Sequence, residues 1–305
     1  MKSVQRGMGP WPVNNQLHAV QDWMMLRLGG NSENREMRSV SRMFLDAVSG
    51  LDRGQRIMKD WKANESALDV LALWCDRFKN GEPVQYILGE VEFFGLSLKI
   101  DPRALIPRPE TEELIRDLIK RQANEGSMRV LDIGTGSGCM ALAWKALRPN
   151  DNVTGIDVSE LSLSLAIENA GKLGFQDVNW RNVNVLDEGP FEGVDWGVKG
   201  WDVIMSNPPY IPISEKATME NRVVHYEPSN ALFVADQDPL CFYRVISSGC
   251  INEGWLASGG WLGMECHRDY SGDVAAFLSK QAGWESIDLL NDLQGQPRMV
   301  IAKKL

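Results

Sequence analysis

The chain has 305 residues, 44% of them hydrophobic and 24% charged, enough to bury a substantial core as one large domain or two unequal ones. No apolar run approaches the roughly 18 residues that a membrane span needs, which excludes a helical membrane protein. A formal net charge of −9 argues against a large nucleic-acid footprint, because phosphate binding draws on clustered Lys and Arg.

The opening residues, MKSVQRGMGPWPVNNQ, place Pro10 and Pro12 where a secretory leader would have its apolar stretch, so a cytoplasmic protein is expected. Five cysteines (Cys75, Cys139, Cys241, Cys250 and Cys266) are widely spaced, lack a C-x-x-C pair and share the chain with only three histidines. Reduced structural thiols are expected, with no metal site.

From residue 14 to about 80 the pattern is helical. Leu17, Val20, Trp23, Met24 and Leu28 recur at helical spacing before Gly29-Gly30, and Val40, Met43, Phe44 and Val48 repeat it before Gly50. Ala67, Val70, Leu71, Trp74, Cys75 and Phe78 follow the cap-like Asn64 and stop at Asn80-Gly81. A small helical bundle over residues 1–82 is expected. Two β-rich runs, Val84–Gly89 and Val91–Leu98, then suggest a linking hairpin within 83–104. The proline-punctuated stretch Ile106-Pro107-Arg108-Pro109-Glu110-Thr111-Glu112 opens a helix that Thr111 can cap, with acids in its first turn.

Over 105–305, strand-like runs (129–133, 153–156, 183–186, 203–205 and 261–264) alternate with helical ones (140–147, 161–173, 238–251 and 272–281). Two further strands close the chain at 286–290 and 297–302. This alternation is that of a doubly wound α/β domain.

Three short stretches carry chemistry. Val130-Leu131-Asp132-Ile133-Gly134-Thr135-Gly136-Ser137-Gly138 is a strand running into a glycine-rich turn that opens a helix, where the backbone can pass close beneath a ligand. Its G-x-G-x-G spacing is neither the dinucleotide nor the P-loop pattern and suits a nucleoside cofactor without a pyrophosphate. A second strand ends at Asp157, whose carboxylate can accept bonds from both ribose hydroxyls or, more plainly, cap the following helix. The third stretch is Ser206-Asn207-Pro208-Pro209-Tyr210, at the end of the fourth strand.

The pattern D-x-G-x-G-x-G followed by an acid at the next strand's end resembles class I S-adenosylmethionine-dependent methyltransferases, a Rossmann-like fold on a seven-stranded mixed sheet. The resemblance implies that Gly134, Thr135, Gly136, Ser137, Gly138 and Asp157 hold the cofactor. Asn184 stands where that family usually has an acid, so either Asn184 or Asp187 meets the adenine amine, with Val185 as a packing contact.

In that setting Asn207-Pro208-Pro209-Tyr210 has a chemical purpose. A conjugated nitrogen is a poor nucleophile because its lone pair is delocalised. The Asn207 side-chain oxygen and the Pro208 carbonyl can accept its two N–H bonds and turn the lone pair toward the methyl donor. Pro208 and Pro209 hold the carbonyl outward at little entropic cost, and Tyr210 can cover the planar face of the acceptor. Asn207 also borders the cofactor. Phe233, Glu265 and His267 are read as structural.

Gly81–Gly89 with Glu92-Phe93-Phe94-Gly95, Leu105–Glu112, Tyr226-Glu227-Pro228 with Ala231-Leu232, and Gly295-Gln296-Pro297-Arg298 are similar to blocks of the HemK/PrmC family of release factor glutamine methyltransferases. The resemblance spans nearly the whole chain. It implies methyl transfer from S-adenosylmethionine, leaving S-adenosylhomocysteine, to the glutamine of the Gly-Gly-Gln loop of class I peptide release factors. It also implies a helical N-terminal domain that grips the partner, a monomer, and no nucleic acid, membrane or metal. The rival substrates are ribosomal protein L3, acted on by enzymes with the same catalytic loop, and adenine in DNA. The acidic balance and the lack of a long insert count against DNA.

Overall fold

A computed structural model describes residues 9–30, 34–122, 126–187 and 200–305. The expectation about a leader falls partly on residues 1–8, outside the described residues. The chain divides into two compact units, Met1–Gly89 with Asn221–Tyr226, and Glu90–Glu220 with Glu227–Leu305. Among the described residues, no helix is long and apolar enough to cross a membrane.

The first unit holds α1 (Leu17–Arg27), α2 (Arg35–Ser49), α3 (Arg53–Met58), α4 (Glu65–Lys79) and α5 (Val84–Leu88). Asn34 and Asn64 cap α2 and α4 by accepting from the Met37 and Ala67 N–H groups, at 3.1 and 2.8 Å. Val20, Met24, Phe44, Leu45, Leu71 and Cys75 form its core. The run Val84–Leu88 is a single helical turn, not the first strand of a hairpin. Pro83 starts it and Gly89, with φ 72°, stops it in the left-handed region. The α3 turn was not anticipated, although Asp52 and Gln55 form a reciprocal capping box at its start.

The second unit opens with the hairpin β1 (Glu90–Phe93) and β2 (Leu96–Lys99) and continues through α6 (Pro109–Arg121), β3 (Arg129–Ile133) and α7 (Cys139–Leu147). Then come β4 (Asn152–Asp157), α8 (Glu160–Leu173), β5 (Asn179–Asn182), β6 (Trp201–Ser206) and β7 (Ile211–Pro212). After α9 (Asn221–Tyr226), which belongs to the first unit, the chain forms β8 (Phe233–Val234), α10 (Cys241–Asn252), β9 (Leu256–Glu265), α11 (Ser271–Ser279), β10 (Trp284–Asn291) and β11 (Pro297–Lys304).

Seven strands form one mixed sheet in the order β10-β11-β9-β6-β3-β4-β5. The five from β9 to β5 are mutually parallel, and β11 runs antiparallel to both β9 and β10. Alternate residues of each strand feed two layers. Val130, Val153, Val203 and Ile301 pack under α6 and α7, whereas Leu131, Ile156, Ile204 and Val300 pack under α10 and α11. Because β4 and β6 leave β3 on opposite sides, the strand order reverses at β3, and a crevice opens at the carboxyl ends of β3, β4 and β6.

Two local expectations change here. The strand expected at 183–186 lies one step earlier, at Asn179–Asn182, and residues 185–186 form a turn. Thr111 is no cap. Pro109 takes the first helical position, where its missing N–H costs nothing, and Thr111 is buried inside the first turn.

Candidate active site

A cleft of about 450 Å³ opens at those carboxyl ends, lined by Gly134, Gly136, Asp157, Asn184, Asn207 and Pro208 among others. The glycine turn leaves β3 with Gly134 and Gly136 at φ 73° and 56°, a region that side chains disfavour. A Cβ added at Gly134 would enter open space, so the backbone itself forms that wall. The N–H groups of Gly134 and Thr135 both donate to the Ile156 carbonyl at 2.9 Å, which ties the turn to the end of β4. Thr135, Ser137 and Gly138 are not on the cleft surface. Thr135 and Ser137 are buried beneath the turn and Gly138 caps α7.

Asp157 ends β4 at the cleft. One carboxylate oxygen accepts from the Gly136 N–H at 2.9 Å and the other from the Ser159 N–H at 2.8 Å. The cap of α8 is Ser159, not Asp157. Each oxygen keeps a lone pair for a further donor. Burial pushes the Asp157 carboxyl up, and the two N–H bonds pull it back. Beneath the turn, Asp132 accepts from the Thr135 hydroxyl at 2.6 Å and the Ala141 N–H at 3.1 Å through one oxygen, while the other has no partner among the described residues. Full burial pushes Asp132 up to about 7.

Val183, Asn184, Val185 and Leu186 line the cleft beyond β4, and Asp187 does not. The Asn184 amide donates to Asp187 Oδ1 at 2.7 Å, and its own oxygen accepts from the Leu186 N–H at 3.2 Å.

At the end of β6, Asn207, Pro208 and Pro209 all line the cleft. Tyr210 does not; its ring packs against the α10 layer and its hydroxyl donates to Glu265 Oε1 at 3.2 Å. Burial and the neighbouring carboxylate hold that phenol far above its ordinary range. The Asn207 Nδ2 donates to the Thr111 hydroxyl oxygen at 3.2 Å, and Thr111 donates to Glu265 Oε2 at 2.6 Å. Thr111 and Glu265 were missed as parts of this site. An acid after the apolar run Trp261–Met264, at the carboxyl end of a cleft strand, was the available signal. His267 lies beside the Tyr210 ring, at 6.0 Å between centroids, and pairs with Glu215 at 3.3 Å. Phe233, read as structural, lines the cleft.

Backbone walls of glycine, an acid at the next strand's end and a mainly apolar pocket beside it suit a nucleoside with a ribose and a flat base. Among the described residues, no group of three or more His, Cys, Asp or Glu side chains is arranged to hold a metal ion.

Comparison with known proteins agrees with this geometry. Residues 20–89 match the PrmC N-terminal domain and residues 124–246 match a methyltransferase domain. The release factor glutamine methyltransferase of Bacteroides thetaiotaomicron is 38% identical over 75% of this chain and 78% of its own length. That of Flavobacterium psychrophilum is 35% identical over 88% of this chain and 92% of its own. Among solved structures, the hMettl16 catalytic domain is 17% identical, with a TM-score of 0.51 over 77% of this chain and 81% of that one, a likeness of fold alone. With that identity across most of both chains, the protein belongs to the release factor glutamine methyltransferase family and is an S-adenosylmethionine-dependent methyltransferase.

Proposed function

We propose that the protein methylates the side-chain amide nitrogen, N5, of the glutamine in the Gly-Gly-Gln motif of class I peptide release factors, and so supports translation termination. The carrying observation is the amide of Asn207, which lines the cleft at the end of β6 beside the glycine turn and is anchored through its nitrogen to Thr111, so that its oxygen is the end able to accept. Gly134 and Gly136 would form the backbone wall of the cofactor site, with Thr135, Ser137 and Gly138 shaping it from beneath. Asp157 would accept the ribose hydroxyls, and Asn184 and Val185 would border the base. When bound, the cofactor supplies an electrophilic methyl group.

Asn207 Oδ1 and the Pro208 carbonyl would accept the two N–H bonds of the glutamine, holding its lone pair in line for attack. Pro209 stiffens the loop and Tyr210 backs it. No general base is needed, because the alkylated amide nitrogen becomes acidic and loses its proton to water. The product left in the cleft would be S-adenosylhomocysteine, with no metal taking part.

The helical first unit is the proposed grip on the release factor. We take the enzyme to act as a cytoplasmic monomer without stable nucleic-acid contact. Five free cysteines support a reducing compartment and the net charge of −9 supports the absence of a nucleic-acid footprint.

The test is incubation of the full chain with methyl-labelled cofactor and, separately, a class I release factor, ribosomal protein L3 and adenine-containing DNA. Label on the release-factor glutamine is expected. Label confined to L3 or to DNA would overturn the assignment.

A further inference from the structure

We propose that Glu265, acting through Thr111, is a positioning residue that fixes which end of the Asn207 amide faces the cleft. The inference rests on the proposed use of Asn207 as an acceptor and deepens it. An amide has two ends of nearly equal shape and opposite polarity. With Oδ1 toward the cleft, Asn207 can accept a substrate N–H; with Nδ2 there, it would oppose one donor with another.

The donor count along the chain of contacts decides between the two. An ionised carboxylate only accepts, so the single Thr111 proton goes to Glu265 Oε2 at 2.6 Å. The Thr111 oxygen then offers only lone pairs to Asn207, which must present Nδ2, as it does at 3.2 Å. Oδ1 is the end that remains. The other oxygen of the same carboxylate accepts from Tyr210 at 3.2 Å, so one side chain holds two residues of the loop. Glu265 and Thr111 are 1% and 2% exposed, so they act from behind Asn207 and not on the substrate.

Protonation would reverse the polarity. A neutral Glu265 can donate to Thr111, which frees the threonine proton for Asn207 Oδ1 and turns Nδ2 to the cleft. Burial raises the Glu265 carboxyl; the Thr111 and Tyr210 bonds and Arg298 on β11 lower it, and Glu110 on α6 raises it. The Tyr243 hydroxyl on α10 donates to the Glu265 backbone carbonyl at 3.2 Å, and Tyr243, Cys139 of α7 and Cys266 lie within electrostatic reach of the carboxylate. Turnover at saturating cofactor should therefore fall as pH drops through this raised pKa.

Two substitutions in the full chain test the relay. Thr111→Val removes the hydroxyl and should cut kcat on a release factor by ~10- to 100-fold, the cost of a misoriented group. Cofactor affinity should stay within about 2-fold and the Glu265 acid limb should vanish from the pH profile. Thr111→Ser keeps the hydroxyl and should recover most of the turnover. Wild-type kcat in Thr111→Val, a serine variant as impaired as the valine one, or a parallel loss of cofactor affinity would each overturn the proposal. A readout independent of activity is hydrogen exchange at the Asn207 side-chain NH₂ in the cofactor-free protein, its signal assigned by its loss in Asn207→Ala. It should be slow in wild type and fast in Thr111→Val. That behaviour without any release-factor methylation would sink the proposed substrate and leave the relay standing. Methylation with unchanged exchange would sink the relay alone.

Discussion

Two residues of the cleft, Asn207 and Asp157, are proposed for different tasks, substrate and cofactor binding, and their substitutions should separate them. Asn207→Ala would remove the acceptor proposed for the reacting substrate nitrogen, so turnover should drop by roughly 10²-fold while cofactor affinity holds. Asp157→Ala strips the acceptor from the Gly136 and Ser159 N–H groups and, on the proposed binding mode, from the ribose, so cofactor affinity should fall by about 10-fold or more. Calorimetry with the cofactor and a methyl-transfer assay on each variant would check both; equal losses in Asn207→Ala would mean that it mainly builds the cofactor pocket. Asp132 raises a question of stability. Its folded-state pKa of about 7 lies above its ordinary 3.8, so the folded state binds the extra proton. Stability should decline as pH rises from about 4 to 7, by an amount on the order of 4 kcal/mol at most. Asp132→Asn keeps an acceptor for Ala141 and removes the charge, so denaturant midpoints measured across that window should flatten. The loop Asn207–Tyr210 stood out in the sequence because its residue types are rare together, although Tyr210 does not line the cleft. Thr111 and Glu265 were harder to read, since their bond joins positions 154 apart and only Glu265, an acid at the end of β9, carries a local signal.

At the scale of the element, the edge of the sheet shows where propensity misleads. Val183–Leu186 is the more β-prone run, yet the polar Asn179–Asn182 forms β5. Two facts decide it. The Asn184 side chain accepts from the Leu186 N–H and its carbonyl from the Asp187 N–H, which turns the chain out of the ladder. Trp180 of β5 lies against Gly155 of β4, where an added Cβ would stand 2.5 Å from the ring and 2.8 Å from the Thr135 hydroxyl. Gly155→Ala should therefore cost ~1–3 kcal/mol by overpacking and disturb the glycine turn through Thr135, measurable as a lower denaturant midpoint with weaker cofactor binding. The same limit explains α5. A five-residue apolar run has no readable period, and only Pro83 and Gly89 at its ends distinguish a helical turn from a strand. The parallel strands β3, β4, β6 and β9 were legible because each is an apolar run bounded by turns and separated from the next by a helix-length segment.

On the scale of the whole molecule, the alternation of strands and helices was enough to anticipate a doubly wound α/β domain, the mixed seven-stranded sheet came with the family resemblance, and the helical spacing was enough for α1, α2 and α4. The assignment of Asn221–Tyr226 to the first unit was not legible, because six residues carry no signal of where they will pack. What holds them is specific. Arg222 pairs with Glu36 at 2.8 Å and lies 4.1 Å over the Phe78 ring, and the Tyr226 hydroxyl donates to the Asn80 carbonyl at 3.1 Å. The ion pair is half-exposed and worth little alone, but the stacked guanidinium adds to it, so Arg222→Ala should destabilise the first unit by about 1 kcal/mol. A shift in its thermal transition, with the second unit's transition unmoved, would register this.

The split ownership of Asn221–Tyr226 bears on how the protein can be dissected. The chain passes between the units at three points in sequence, after Gly89, Glu220 and Tyr226, so no single cut yields two self-contained pieces. A truncation beginning at Glu90 would strip the Arg222 and Tyr226 side chains of their partners, and a fair dissection must redesign 221–226 as well.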